Sequence, residues 1–387
     1  MNILEGLKEP VFLLPKHNDQ DTFPTLLAKT YALFLDTVDK IDTGSIVPKL
    51  KENRQVLETF CEGLIKSAEI YYRGFPAEAY FEFDAAMGLV EDFLLPKNAG
   101  MAGIREFEPY YRARVGTNTQ FKRKEMFHIP FEKREYVTTQ RFSVPGLPCL
   151  YLSNSVYVCW EELRRPDINK MQVSRFKLEN YRVKYLDLSL TPSYLTQMLE
   201  VTTKGDILAT TKETHEQALD GWDQMTLNYL MRWPLVASCS IKVQKSDGTF
   251  KPEYIFPQFL LQWVTNNKKI DGVKYFSVEA NISSTVDHSQ LINYALPAKE
   301  IKSSGLCKTI TDSFSLTEPV SWEMLSMANP SVVLHDQEKF KKVIHKLGWD
   351  TIAATVEFVK GKQIFYWHTI FGKMEIEMAD MFFEKIN

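Results

Sequence analysis

The middle third of the chain carries the side chains best suited to chemistry, in three separate stretches. They are Tyr111-Arg112-Ala113-Arg114, then Arg141-Phe142-Ser143 with Leu150-Tyr151-Leu152 and Glu161-Glu162, then Gly272-Val273-Lys274-Tyr275-Phe276-Ser277. A guanidinium pairs well with phosphate oxygens, and a tyrosine ring stacks on flat rings. A carboxylate stabilises a positive charge that develops in a transition state. These groups together suit the binding of a phosphate-bearing ligand.

In this order the three stretches resemble the RES domain family, which is named for its Arg, Glu and Ser. The resemblance covers roughly residues 104–300 and includes a tyrosine strand that runs into a helix carrying the glutamate. It implies a fold similar to that of the ADP-ribosyltransferase toxins. It also implies an enzyme that degrades NAD by hydrolysis or phosphorolysis, or transfers ADP-ribose to a target. Many members of the family are the toxin half of a toxin–antitoxin pair, and NAD is their substrate.

The resemblance and the chemistry together give each candidate residue a role. The family's tyrosine-to-glutamate spacing, counted from Tyr151, ends on Glu162, which would stabilise the oxocarbenium-like state formed as the nicotinamide–ribose bond breaks. Tyr151 would stack on nicotinamide and leave its hydroxyl to bond a ribose, and Ser277 would donate to the nicotinamide amide or to a ribose oxygen. The guanidiniums would bind the pyrophosphate. The predicted catalytic residues are therefore Arg112, Tyr151, Glu162 and Ser277, and the predicted NAD-binding residues are Arg112, Arg141, Tyr151 and Ser277.

Each candidate also has a plain structural interpretation. Arg112 could be a surface arginine of a strand, and Arg141 a solvated turn residue. Tyr151 could be a core tyrosine, since strands favour aromatic residues, and Ser277 a serine at a strand end. Glu162 has the alternative of an exposed helix residue. Its neighbour Glu161 points about 100° away on a helix, so we expect only one of the two to face a pocket.

Other chemistries find little support in the sequence. No GxGxxG or GxxxxGK[ST] motif is present, so a glycine-rich phosphate loop is not expected. The seven histidines are scattered and the five cysteines form no CxxC pair, so no metal site is predicted. Cys159 is interpreted as a packed thiol, because no basic neighbour would lower its pKa. Arg123 and His128 match an arginine–four–histidine spacing of helical-bundle ribonucleases, which we interpret as chance.

Hydrophobic spacing predicts helices before the middle third and mixed elements after it. Three amphipathic stripes lie between Thr22 and about Leu94, with Pro76 at the start of the third, and short links would let them pack as a bundle. Strands are expected near 110–115, 149–152, 173–178, 182–188 and 273–278, and helices near 155–164, 252–266 and 336–347. Asn154 or Ser155 could cap the first of these helices. This order predicts an α+β protein with an ADP-ribosyltransferase-like mixed core and an N-terminal helical bundle.

The length of 387 residues is too great for one core. We predict an N-terminal helical domain over 1–103, a RES-like NAD-processing domain over 104–300, and a C-terminal β-rich extension over 301–387 packed on it. A net charge of −3 without a basic stripe argues against nucleic-acid binding. The absence of a signal peptide and of a run of about 18 apolar residues favours a cytoplasmic protein without membrane contact. The expected partners are NAD and an antitoxin or regulatory protein. The sequence does not decide whether the protein forms a homo-oligomer.

Overall fold

The structure is a computed structural model that describes residues 1–18, 21–95, 109–116, 119–179, 183–203, 212–245, 247–280, 291–300, 302–328, 355–359 and 362–386. The chain divides into two compact units, Met1–Ala99 with Leu190–Trp263, and Gly100–Ser189 with Val264–Asn387. Helices and a mixed sheet are both present, so the predicted α+β class is confirmed. In the part of the chain that the structure describes, no helix is at once long and apolar enough to cross a membrane.

The described elements are as follows, in chain order. The helices are α1 (Ile3–Gly6), α2 (Phe23–Asp39), α3 (Val47–Tyr72), α4 (Pro76–Leu94), α5 (Val156–Glu162), α6 (Pro192–Thr203), α7 (Lys212–Cys239), α8 (Ile255–Asn266), α9 (Lys308–Ser313), α10 (Trp322–Ala328) and α11 (Ile370–Met378). The strands are β1 (Tyr110–Val115), β2 (Cys149–Ser153), β3 (Met171–Leu178), β4 (Tyr185–Leu188), β5 (Gly272–Phe276), β6 (Ile292–Pro297), β7 (Phe314–Leu316), β8 (Val320–Ser321), β9 (Thr355–Val359), β10 (Lys362–Phe365) and β11 (Glu384–Lys385). Short 3-10 turns lie at Pro10–Phe12, Arg123–Met126, Phe131–Tyr136, Ile168–Lys170, Pro252–Tyr254 and Tyr366–His368.

The first unit is built from helices whose apolar stripes face one another. The three predicted helices are α2, α3 and α4, and α4 begins at Pro76, where the missing N–H of proline has no helical partner to lose. Trp233 of α7 stacks on Phe34 of α2, with ring centroids 4.3 Å apart. The Tyr31 hydroxyl donates to the carbonyl of Pro234 at 2.9 Å. The helical bundle predicted at the N-terminus therefore also contains α7, from much later in the chain.

The second unit is built on a sheet with the strand order β11-β7-β3-β1-β2-β6-β5-β4, and β8 pairs with β3. In the described residues β4 and β5 pair in parallel, whereas the other neighbours pair antiparallel. Gly272 begins β5 beside β6, and a Cβ there would lie 2.6 Å from the carbonyl oxygen of Ala295. The glycine of the third sequence stretch is therefore required by the close approach of the two strands.

The two faces of this sheet carry different cores. Paired residues of neighbouring strands point to the same face, and successive residues of one strand alternate. Tyr111 pairs with Ser153, and Ser153 pairs with Asn293, so these three side chains share a face, which we call the α5 face. It packs against α5 and α11 through residues such as Tyr157 and Met374. The opposite face packs a second cluster of buried residues that includes Tyr110, Leu150, Leu152, Phe176, Tyr294, Leu296 and Phe314.

The observed units differ from the predicted regions in two places. Residues 190–263 belong to the first unit, although the prediction included them in the 104–300 domain. Strands β7, β8 and β11 belong to the large sheet of the second unit, so much of the predicted 301–387 extension is part of the same core. The helical stretch predicted near 336–347 lies outside the described residues.

Candidate functional site

Three neighbouring strands bring Ser153, Ser277 and Asn293 to one edge of the sheet. Strand β2 ends at Ser153, strand β5 ends one residue before Ser277, and antiparallel β6 begins beside both of them. The register pairs Ser153 with Asn293 and Phe276 with Ile292. The backbone N–H of Ser277 donates to the carbonyl of Leu291 at 2.6 Å, which fixes the end of β5 against β6.

Helix α5 delivers Glu162 to this edge. The helix follows β2 almost at once, and the Ser155 hydroxyl caps it by accepting from the N–H of Val158 at 3.2 Å. It ends at Glu162. Arg164 and Arg165 then adopt φ values of 61° and 56°, in the left-handed region that side chains other than glycine rarely occupy. The chain therefore turns sharply away directly behind the carboxylate.

The Glu162 carboxylate is held by two side chains from distant parts of the chain. The Ser277 hydroxyl donates to Oε1 at 2.6 Å, and the Asn293 amide donates to the same oxygen at 2.7 Å. The Ser153 hydroxyl in turn donates to Oδ1 of Asn293 at 2.6 Å. Ser153, Ser277 and Asn293 are all buried. A hydrogen-bonded chain thus leads from the α5 face of the sheet to the carboxylate.

Glu162 remains open to solvent although protein surrounds it. The residue is exposed. Desolvation by the surrounding atoms raises the pKa of its carboxyl group, and the charge of Glu279 acts in the same direction. The hydrogen bonds from Ser277 and Asn293 and the charge of Arg141 oppose this and lower the pKa. The residue is thus exposed, while neighbouring groups lie close enough to its carboxyl group to shift the pKa. An accessible carboxylate with a perturbed pKa and two fixed donors has the features expected of a functional site.

Arg141 stands near this carboxylate on a loop that Tyr151 holds in place. The guanidinium is 9% exposed and lies 3.9 Å from the Glu279 carboxylate. The Tyr151 hydroxyl donates to the carbonyl of Phe142 at 2.6 Å, and the Phe142 ring packs on Tyr275 with centroids 4.1 Å apart. The hydroxyl predicted to bond a ribose is therefore engaged by the loop, and Tyr151 positions Arg141.

Arg112 does not join this group. In strand β1 it follows Tyr111, which shares the α5 face with Ser153 and Asn293, so strand alternation turns Arg112 to the opposite face. Its guanidinium donates to the backbone carbonyl of Tyr151 at 3.1 Å, where β1 and β2 diverge. Burial and the nearby charge of Arg114 lower the pKa of Arg112 to about 10. The contacts of Arg112 are those of a residue that links two strands.

The two neighbouring glutamates have opposite environments. The side chain of Glu161 is 3% exposed and forms two bonds with the Arg165 guanidinium, at 2.9 and 3.0 Å. Glu162 points away from it, toward Ser277. The structure thus answers which glutamate faces the open edge. Arg165, which has a positive φ of 56°, reaches back to Glu161 with its guanidinium.

The weaker sequence candidates lie apart from this site. Cys159 is 5% exposed, and burial raises the pKa of its thiol to about 12, as expected of a packed cysteine. Arg123 forms ion pairs with Glu318 and Glu384. His128 is buried and accepts from the N–H of Cys307 at 2.9 Å. Within the described ranges, no group of three or more His, Cys, Asp or Glu is placed to hold a metal ion.

Sequence reasoning missed Asn293 and Ser153. Both lie in short strands that match no catalytic motif, and they meet only through the β2–β6 register. A polar residue inside an otherwise apolar strand was the available signal, since Asn293 stands in the fully buried run Ile292–Pro297. Buried polar groups of this kind normally need a specific partner.

Comparison with known proteins gives one informative match. The chain is 35% identical over 315 residues to a protein described as "Putative toxin YopC" from Bacillus subtilis (strain 168). The match covers 78% of this chain and 66% of that protein, so the chain spans just under two thirds of the relative's length. No family model matches the chain, and no solved structure matches it. The ADP-ribosyltransferase-like core and the RES resemblance therefore stay predictions.

Proposed function

We propose that this protein is a toxin that cleaves NAD at the nicotinamide–ribose bond, by hydrolysis or phosphorolysis. The similarity to a protein described as a toxin supports the toxin part. The resemblance of the three sequence stretches to the RES family supports the reaction. An antitoxin or regulatory protein would then be the expected protein partner.

The observation that carries the proposal is the accessible Glu162 carboxylate held by Ser277 and Asn293. Fixed donors keep a carboxylate oriented without further reorganisation during the reaction. When the bond between C1′ and nicotinamide breaks, its electron pair goes to the ring nitrogen and positive charge spreads over C1′ and the ribose ring oxygen. A carboxylate beside the ribose stabilises that charge, as in glycoside cleavage.

The remaining atoms are supplied by the second substrate. In hydrolysis, water attacks C1′ and gives ADP-ribose, nicotinamide and a proton. In phosphorolysis, a phosphate oxygen attacks and gives ADP-ribose 1″-phosphate and nicotinamide. Arg141, whose guanidinium lies near Glu162 on the loop fixed by Tyr151, is the residue we assign to the pyrophosphate, because a guanidinium binds two phosphate oxygens at once.

A nicotinamide-release assay tests the proposal. Purified wild-type protein is incubated with NAD, with and without inorganic phosphate, and free nicotinamide is followed. We expect release in at least one condition, and we expect Glu162→Gln to reduce it on the order of 10²-fold while the melting temperature stays near that of wild type. Folded wild-type protein that releases no nicotinamide in either condition would refute NAD cleavage.

The same assay separates the alternatives. Transfer of ADP-ribose to a macromolecule also releases nicotinamide, but label from [³²P]NAD then appears on protein or nucleic acid in a cell extract. A non-catalytic NAD or ADP-ribose sensor binds the ligand without turnover, and Glu162→Gln then leaves its behaviour unchanged. Glu161→Gln is the matched control, because Glu161 faces Arg165 and its loss should lower stability rather than the rate per folded molecule.

A further inference from the structure

The side chains of Ser153 and Asn293 form a polar chain across buried surroundings. Asn293 is 3% exposed and Ser153 is 5% exposed, and the bond between them and the bond from Asn293 to Glu162 are both short, at 2.6 and 2.7 Å. Leaving a buried amide without hydrogen-bond partners would lower the free energy of unfolding by about 1–3 kcal/mol. Both ends of the Asn293 amide are therefore committed to specific neighbours.

The chemistry of the two neighbours fixes which way the amide points. An ionised carboxylate only accepts hydrogen bonds, so the NH₂ end of Asn293 must face Glu162. The carbonyl end then faces Ser153, whose hydroxyl can donate to it. Ser153 thus opposes a flip of the amide, which would place Oδ1 against the carboxylate.

Both fixed donors meet on one oxygen of Glu162. The Ser277 hydroxyl and the Asn293 amide bond Oε1, and no residue in the described ranges donates to Oε2. Oε2 is therefore the oxygen without a fixed donor, on a residue that is exposed. Ser277 directly follows β5 and Asn293 lies in β6, so the position of Oε1 is fixed by two neighbouring strands of the sheet.

We propose that Asn293, oriented by Ser153, is a positioning residue that fixes the Glu162 carboxylate and leaves Oε2 to the ligand. The effect of Asn293 on the rate of NAD cleavage rests on the proposed function. The hydrogen bond from Asn293 to Glu162 can be tested on the protein without substrate. Asn293 acts through Glu162 and need not touch the ligand.

Two variants and one control test this inference. Asn293→Leu keeps the approximate shape and removes the donor, and Ser153→Ala removes only the hydroxyl that orients the amide. Ser174→Ala is the matched control, because Ser174 is also fully buried on a strand of the same sheet and its hydroxyl has no hydrogen-bond partner in the described structure. The first readout is the titration of the Glu162 side-chain carboxyl, followed by ¹³C NMR with Glu162→Gln for assignment.

The expected result is an upward shift of the Glu162 pKa in Asn293→Leu, a smaller shift in the same direction in Ser153→Ala, and none in Ser174→Ala. With NAD, kcat for nicotinamide release should fall on the order of 10-fold in Asn293→Leu with KM little changed, because the donor acts on the carboxylate and not on ligand binding. Ser153→Thr, which keeps a hydroxyl, should restore the wild-type titration.

Titration of Glu162 that is the same in wild type, Asn293→Leu and Ser153→Ala would overturn the inference, whatever the substrate is. If Asn293→Leu fails to fold, Ser153→Ala decides on its own. Wild-type protein that releases no nicotinamide but shows the expected titration shifts would refute the NAD proposal and support the role of Asn293.

Discussion

A glutamate lies at each end of helix α5, Glu162 of the helix itself and Glu375 of the neighbouring α11, and the two differ in exposure to solvent. At its C-terminal end Glu162 is exposed and bonded by Ser277 and Asn293. At its N-terminal end Glu375 of α11 is fully buried, accepting from the N–H of Val156 at 2.6 Å and from the Tyr366 hydroxyl at 2.5 Å. Burial raises the pKa of both carboxyl groups.

The comparison teaches that a perturbed pKa alone does not identify a site of chemistry. The larger effect belongs to Glu375, whose pKa is raised to about 8, yet no ligand can reach that carboxyl group. Glu375 caps the first turn of α5, where the free N–H groups favour an acceptor. At the C-terminal end of α5, which we call the open end, Glu162 is both exposed and bonded by fixed donors. At the N-terminal end, Glu375 is buried and holds the helix that carries Glu162.

The largest effect that would distinguish the two ends is on stability. Replacing Glu375 with alanine removes the acceptor of two buried donors and leaves a cavity, so we expect the free energy of unfolding to fall by about 3 kcal/mol. Chemical denaturation measures this. Glu377→Ala, on the partly exposed side of the same helix, is the control and should change the value by less than about 0.5 kcal/mol. Equal losses in the two variants would contradict the assigned role of Glu375.

A smaller effect concerns the pH dependence of stability. The pKa of Glu375 is about 8 in the folded protein and near 4.5 when unfolded, so its stabilising contribution is full below pH 4.5 and is lost as the pH rises toward 8. Glu375→Gln removes this dependence. Relative to wild type, the variant should therefore gain about 2 kcal/mol between about pH 5.5 and pH 7.

Taking the difference between variant and wild type cancels the other groups that titrate in this range. One of them is His128, whose pKa burial lowers to about 4, so that its own contribution is lost in the opposite direction, as the pH falls below its ordinary value of 6.5. A difference that stays constant from about pH 5.5 to pH 7 would show that Glu375 is ionised in the folded protein throughout.

Local sequence signals predicted the start of helix α5 and the bounds of strand β1, two of the elements around Glu162. Ser155 was one of two predicted caps of α5 and is the observed one, and strand β1 has the predicted bounds 110–115. These signals are local, since capping and hydrophobic period act over a few residues. The contact between Glu162 and Ser277 spans 115 residues, and only the resemblance to a known family pointed to it.

The orientation of Arg112 shows what the sequence could not predict. The strand Tyr110–Val115 has a large aromatic residue on each face, so its pattern does not reveal which face Arg112 takes. A shift of one residue in register would reverse every side chain. The same dependence on register hid the meeting of Ser153 and Asn293. Residues 190–263 belong to the first unit because of packing between distant parts of the chain, and no local sequence signal indicates this either.

The smallest effect separates the two arginines that the sequence placed together. Arg141 lies by the open end of α5, where its charge acts on Glu162, whereas Arg112 bonds a backbone carbonyl on the opposite face. If NAD is the substrate, Arg141→Gln should raise KM about tenfold, equivalent to about 1.4 kcal/mol of lost binding. Arg112→Gln should lower the melting temperature and leave KM within about twofold, because its contact is structural. An increase in KM for folded Arg112→Gln as large as that for Arg141→Gln would return Arg112 to the ligand site.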